Sequence, residues 1–213
     1  MAKQHLQTTV LYFLLILFLS ACQKEDAVSG TIANRRIQLG KAIFFDKNLS
    51  NPIGQSCASC HASAAAFSDL DHNIVSPGIV SGLFGNRNAP MAAYSMFIPY
   101  LHFDNVDSTY VGGLFLDGRV NSLEEQAHKP FMNPLEMNNK SISMLLAKIK
   151  NADYYNLYQS VNGAITEDSI TAFWNIARAI AVYERSPELN PFTSKFDYYL
   201  KGQNTLSAQE LEG

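Results

Sequence analysis

The stretch Ser56-Cys57-Ala58-Ser59-Cys60-His61 decides how the rest of the chain is read. Two cysteines separated by two residues and followed at once by histidine form the attachment signature of a c-type haem. Both thiols become thioethers to the porphyrin vinyls, and the adjacent imidazole ligates iron. The spacing has a physical reason: one turn of backbone sets Cys57 and Cys60 beneath one porphyrin edge and leaves His61 under the metal. Three other readings use the same residues: a structural disulfide, a thioredoxin-like dithiol, and half of a zinc site. A zinc site wants four ligands with a second Cys/His cluster, and the sequence has none. A redox dithiol does not require the histidine and usually sits in a βαβ pattern, which this region lacks.

Outward from that stretch, composition sets the class. The chain has 213 residues, 47% of them apolar, enough for one medium domain or one domain plus a piece of another. A net charge of −3 gives no argument for a nucleic-acid partner. Charged residues are scarce while Phe and Tyr are plentiful, as expected when a large flat apolar cofactor must be enclosed.

The N-terminus reads as an export signal over residues 1–21. Lys3 supplies the positive start, Val10–Leu19 is an uninterrupted apolar run too short to span a bilayer, and Leu19-Ser20-Ala21-Cys22 resembles a bacterial lipobox. Cys22 is then the lipidated first residue, the alternative being an ordinary secretory peptide with an incidental cysteine. Either way the mature protein is exported, to the periplasm with a membrane anchor if Cys22 is acylated. The three cysteines are thereby accounted for: Cys22 to lipid, Cys57 and Cys60 to haem, none to a disulfide. Residues 22–30, small and polar, form a flexible tether.

Periodicity predicts a mainly α fold with long irregular loops. A first helix runs over Ile32–Phe45, with Ile32, Leu39, Ile43 and Phe44 apolar. From His61 to Tyr110 no period holds, and so long an irregular region is expected to wrap something. Ser122-Leu-Glu-Glu125 is a capping box opening a short helix that Pro130 ends. Ile142, Leu145, Leu146 and Ile149 mark one further helix. Ile170, Phe173, Trp174, Ala177, Ile180 and Ala181 mark another that begins after Thr166. Ser207-Ala-Gln-Glu210 is a second capping box close to Gly213, which suggests a chain cut short.

With these blocks in place the chain resembles the bacterial di-haem cytochrome c peroxidases and the related di-haem oxidases of methylamine utilisation. The resemblance rests on Leu39-Gly-Lys-Ala-Ile-Phe-Phe-Asp46, the haem motif, Phe67-Ser-Asp69, Arg87-Asn-Ala-Pro90, Asp117-Gly-Arg119, Leu123-Glu-Glu-Gln-Ala127, Asn133-Pro-Leu-Glu-Met137, Tyr183-Glu-Arg185 and Phe196-Asp197. It implies a cytochrome c-like haem domain over residues 31–190 that reduces hydrogen peroxide, and the truncated start of a second such domain over residues 191–213. A second haem motif is expected beyond Gly213. The electron donor would be a small cytochrome c or a cupredoxin, and the face a second domain would cover implies self-association, a homodimer included.

Carried over by residue, Cys57 and Cys60 are the covalent anchors of haem c and His61 the proximal ligand. Glu136 matches the family's distal acid/base and Gln126 its distal amide. Asn88 matches a calcium ligand. Two positions depart from the family. Leu116 replaces the usual Trp between the haems, leaving Phe115 or another aromatic to serve the electron route. His72 is the loop candidate for a displaceable distal histidine, although an open sixth position is the expectation. The competing functions are an oxidase acting on a protein or organic substrate, and a one-haem electron carrier with Met91, Met96, Met132 or Met137 as sixth ligand.

Overall fold

A computed structural model describes residues 30–213 apart from Glu167. The expected signal peptide, the lipidated Cys22 and the tether up to residue 29 lie outside the described residues. What is described is mainly helical.

The first helix, α1, is followed over residues 30–45. Leu39, Ile43 and Phe44 on one face are buried almost completely, but Ile32 remains 41% exposed, so the fully buried stripe starts about two turns later than the periodicity suggests. Gly40 stands in mid-helix, where glycine costs about 1 kcal/mol against alanine. Packing explains it, because a Cβ here would lie 1.9 Å from the carbonyl oxygen of Ala179. α1 stops at Asp46, whose Oδ1 accepts from the Asn48 amide at 2.8 Å. Its Oδ2 accepts from the Tyr154 hydroxyl at 2.7 Å, tying the turn to the far side of the core.

The haem-motif helix α2 spans Cys57–Cys60, α3 Leu123–Ala127, α4 Lys129–Met132, α5 Ile142–Lys150, α6 Tyr155–Asn162, and α7 Ser169–Glu184. α7 is the axis. Asp168 caps it through the Thr171 amide at 3.0 Å, and Phe173, Ile176, Ala177, Ile180 and Tyr183 are buried along it. α3 and α5 both pack against it. Ile170, expected on the inner stripe, is 55% exposed because it lies in the first turn, before α7 enters the core. Leu145, Leu146 and Ile149 of α5 are buried as their spacing predicts.

Pro130 does not end a helix, as the sequence reading had it. α3 closes at Ala127 and Pro130 sits in the first turn of α4, where its missing N–H breaks no bond. The Ser122 hydroxyl caps α3 through the Glu125 amide at 3.2 Å, but Glu125 accepts from Asn121 instead of completing the box.

Between α2 and α3 the chain is irregular apart from short 3₁₀ turns and one antiparallel hairpin, β1 His102–Asp104 with β2 Thr109–Val111, pairing Phe103 with Tyr110. Main-chain bonds fasten this region to itself and to the segments that follow α4 and α7: Ala92 N to Phe67 O at 2.9 Å, Ile79 N to Glu136 O at 3.0 Å and Tyr94 N to Leu189 O at 3.2 Å. After α7 come α8 Lys195–Leu200 and α9 Ala208–Glu212, each opened by a full capping box and joined by a Lys195–Glu210 ion pair. Neither buries a residue.

Candidate active site

The motif and part of the irregular region converge on one cleft. Its first wall is α2 and the turn after it. The Ser59 hydroxyl accepts from the Ser56 amide at 3.0 Å, closing a single helical turn that leaves Cys57, Cys60 and His61 on the same side of the cleft. Both thiols are free and half-buried. Burial pushes each of them up from the ordinary thiol range, Cys57 most strongly.

His61 is oriented by its own loop. Ala66 and Phe67 both take positive φ, folding the chain back so that Phe67 N bonds Ala62 O at 2.8 Å and Phe67 O comes 3.2 Å from His61 Nδ1. A carbonyl can only accept, so Nδ1 carries the hydrogen, and in the neutral ring Nε2 is the nitrogen with a lone pair able to ligate a metal. Burial lowers the proton affinity of the ring, against backbone bonds to Phe67 and Pro90 and the charge of Asp69, and favours the neutral form that ligation needs. Behind it Phe67 meets Phe44 edge-on, and Phe44 meets Tyr183 likewise at 5.4 Å.

The second wall is α3, α4 and the turn that follows. Gln126 and Ala127 come from α3, Pro130 from α4, and Asn133, Glu136 and Met137 from the turn. Asn133 organises that turn: its Oδ1 accepts from Leu135 N at 3.0 Å, and its carbonyl accepts from Glu136 N and Asn138 N. From outside, Gly78 presses so close that a Cβ would sit 2.3 Å from Leu135 O. Glu136 is thus held by its backbone from two directions. Burial raises its carboxyl above the usual range, opposed by a hydrogen bond with Asn133 and the charge of Arg119.

At the mouth, Phe115 and Leu116 adopt consecutive positive φ values, a costly arrangement for residues with a Cβ. Leu116 is 66% exposed. Arg119 stacks over the Phe115 ring at 3.8 Å and grips Asp117 with two bonds, while Arg87 holds the same carboxylate at 2.8 Å.

Of the sequence candidates, Cys57, Cys60, His61, Gln126, Glu136 and Asn88 all line this cleft, as do Met91 and Met137. Asn88 lies on the outer loop, its amide donating to Asn73 O at 2.8 Å. His72 is exposed in a turn outside the cleft lining, with positive φ. Met96 and Met132 do not line the cleft. Among the lining residues to which the sequence reading gave no role, Gln55 and Glu184 each leave a side-chain oxygen enclosed without a partner. Gln55, 7% exposed, donates to Pro77 O at 2.9 Å and leaves its Oε1 without a partner. Glu184, last residue of α7, leaves Oε2 enclosed and unpartnered. Its signal was legible: an acid four residues after Ile180 continues the buried face of the helix.

The donor set fits a covalently attached haem c. Two thiols one turn apart line the cleft with an imidazole whose Nδ1 is engaged by the Phe67 carbonyl, and a carboxyl and an amide side chain, Glu136 and Gln126, line the same cleft. Among the described residues no three His, Cys, Asp or Glu side chains gather as a metal-ion cluster.

Comparison with known proteins agrees. Residues 34–205 match the family model described as di-haem cytochrome c peroxidase. The methylamine utilization protein MauG of Paracoccus denitrificans is 34% identical over 181 residues, covering 82% of this chain and 46% of that protein. The cytochrome c peroxidase Ccp of Escherichia coli K12 is 33% identical over 186 residues, covering 84% of this chain and 34% of that protein. The crystal structure of the diheme peroxidase BthA from Burkholderia thailandensis superposes with a TM-score of 0.74 at 36% identity, over 83% of this chain and 44% of that one. The chain therefore spans half or less of the length of these relatives. Family match, cleft and motif coincide over the same residues, and the chain belongs to the di-haem cytochrome c peroxidase family.

Proposed function

We propose that residues 31–190 form a peroxide-reducing domain of cytochrome c type, with one haem c attached through Cys57 and Cys60 and ligated by His61. Residues 191–213 begin a second such domain. The observation that supports this reading is that Glu136 and Gln126 line the same cleft as Cys57, Cys60 and His61. The haem, when bound, supplies the iron to which peroxide binds and through which its two electrons arrive. Glu136 takes a proton from one peroxide oxygen and returns it to the other, so that water leaves instead of hydroxide. Its raised proton affinity brings it nearer the range where a group both accepts and releases a proton at neutral pH. Gln126 offers an amide that orients the oxygens. The electrons come from a small cytochrome c or cupredoxin, Asn88 contributes to a calcium site, and Cys22 anchors the protein to a membrane facing the periplasm.

The test uses protein matured with haem. Glu136→Gln retains haem and peroxide binding but slows the peroxide-induced change of the Soret band, followed by stopped flow. General acid/base catalysis contributes about 10²–10⁴-fold, so a loss of at least about a hundredfold is expected. An unchanged rate removes Glu136 from the mechanism.

A second reading, oxidation of an organic or protein substrate, is favoured by Leu116 standing exposed at the cleft mouth in place of the family's Trp, and by similarity to a methylamine utilization protein. Peroxide consumption that needs no reduced donor protein and matches the substrate oxidised would establish it. A low-spin ferric spectrum with Met137 or Met91 as sixth ligand would instead mark an electron carrier.

A further inference from the structure

α7 runs its last turn into the cleft. Glu184 lines it, and Oε2 is enclosed without a hydrogen-bond partner. The charged neighbours leave it so. Arg185, next along the helix, commits its guanidinium to Glu124 of α3 through bonds of 2.7 and 3.0 Å. Glu124 itself adds like charge from α3, and the Cys57 thiol faces Glu184 from α2. Asn190, in the segment after α7, donates to the Glu184 main-chain carbonyl and not to its carboxyl. An isolated buried carboxylate is costly, a buried carboxylic acid much less so. Burial accordingly pushes Glu184 up to about 8, with Arg185 opposing and Glu124 reinforcing the shift.

We propose that Glu184 is a proton-holding group that ties electron gain at the cleft's cofactor to proton gain by the protein. Each electron delivered by the donor removes one positive charge from the cofactor, and ionised Glu184 then binds one proton from water. One O–H bond forms and none breaks within the protein. The cause is Coulombic: a cofactor that has lost positive charge stabilises a neighbouring carboxylate less. Glu184 touches neither peroxide oxygen. It acts through the cofactor's potential and is a positioning residue, separate from Glu136, which works on the peroxide itself. The inference rests on the covalent haem proposed above, and not on peroxide being the substrate.

The decisive measurement is the midpoint potential of the haem-loaded chain against pH by spectroelectrochemistry. The reduced form binds the extra proton, so the potential falls as pH rises across the mildly alkaline range. The slope approaches at most about 59 mV per pH unit, the value for tenfold per unit in a one-electron couple. Glu184→Gln flattens that slope, Glu184→Asp moves its inflection, and Glu136→Gln keeps it. A slope unchanged in Glu184→Gln, or abolished by Glu136→Gln, overturns the proposal. A second arm needs no haem. Infrared spectra of the chain at neutral pH should contain a protonated-carboxyl band that titrates near pH 8 and is missing in Glu184→Gln; its absence from the wild-type chain also overturns the proposal. Failure of the chain to bind haem at all would sink the proposed function, while the infrared arm still decides the state of Glu184.

Discussion

Burial acts on Glu136 and Glu184 in the same direction, but only Glu136 has a hydrogen-bond donor beside it in Asn133. The difference reaches stability. Below the ordinary value of 4.5 Glu184 is protonated folded or unfolded; between 4.5 and about 8 the unfolded chain releases the proton and the folded chain keeps it. Stability therefore declines as pH rises through that window, and the penalty is complete above it. Glu184→Gln lacks the penalty, so its denaturation midpoint should gain on wild type from acid to mildly alkaline pH. A constant difference across the window would show that Glu184 ionises freely in the fold. Single residues were legible to different depths. Cys57, Cys60 and His61 stand out in the sequence by the spacing of their motif, and the fold brings all three to one cleft. Glu136 lies in an aperiodic turn, where only the resemblance of Asn-Pro-Leu-Glu-Met to a family block singles it out. Glu184 went unassigned although it continues the buried face of α7 four residues after Ile180, because residue type alone does not say that an acid there loses its solvent.

Gly40 is where two elements meet. α1 and α7 cross with so little space that even a methyl group would collide with the Ala179 carbonyl and with the Tyr183 Cβ at 2.8 Å. Gly40→Ala gains helix propensity yet must force the helices apart, and overpacking usually costs about 1–3 kcal/mol, occasionally more. A destabilisation of at least about 3 kcal/mol is expected by chemical denaturation, because the obstacle is backbone and cannot rotate away. A variant as stable as wild type would mean the crossing is not tight in solution. Long amphipathic helices were the readable elements: α5 and α7 lie where their apolar spacing predicts. α6 escaped, since only Tyr158 of its eight residues is buried. The β1–β2 hairpin escaped too, its paired Phe103 and Tyr110 both being exposed and carrying no inward alternation. Pro130 was misjudged because proline interrupts a helix and opens one equally well, depending on the turn it occupies.

At the scale of the molecule, the long aperiodic region from His61 to Tyr110 is a cover. Its sequence predicts that it wraps something, but not that Gly78 and Ile79 clamp the segment bearing Glu136. Those contacts join residues far apart in sequence and have no local signature. Gly78→Ala, blocked by the Leu135 carbonyl, should therefore lower the rate of peroxide-induced spectral change more than it lowers haem content, since it displaces the acid and not the anchors. Equal losses of both would place its effect on folding alone. The same cover sets an order of events during biogenesis. Thioether formation needs an accessible thiol with some thiolate character, yet in the finished fold Cys57 and Cys60 are half-buried and burial suppresses their ionisation. Haem attachment at Cys57 and Cys60, as proposed, would therefore belong to the chain before it closes. Apo-protein folded first and then offered reduced haem should yield little haem that resists acidified organic extraction, whereas chain offered haem while unfolded should yield much. Equal yields would mean that the cover opens readily. If the order holds, covalent attachment precedes closure of the cover, and the machinery that installs the porphyrin must act on a polypeptide still open around Cys57 and Cys60.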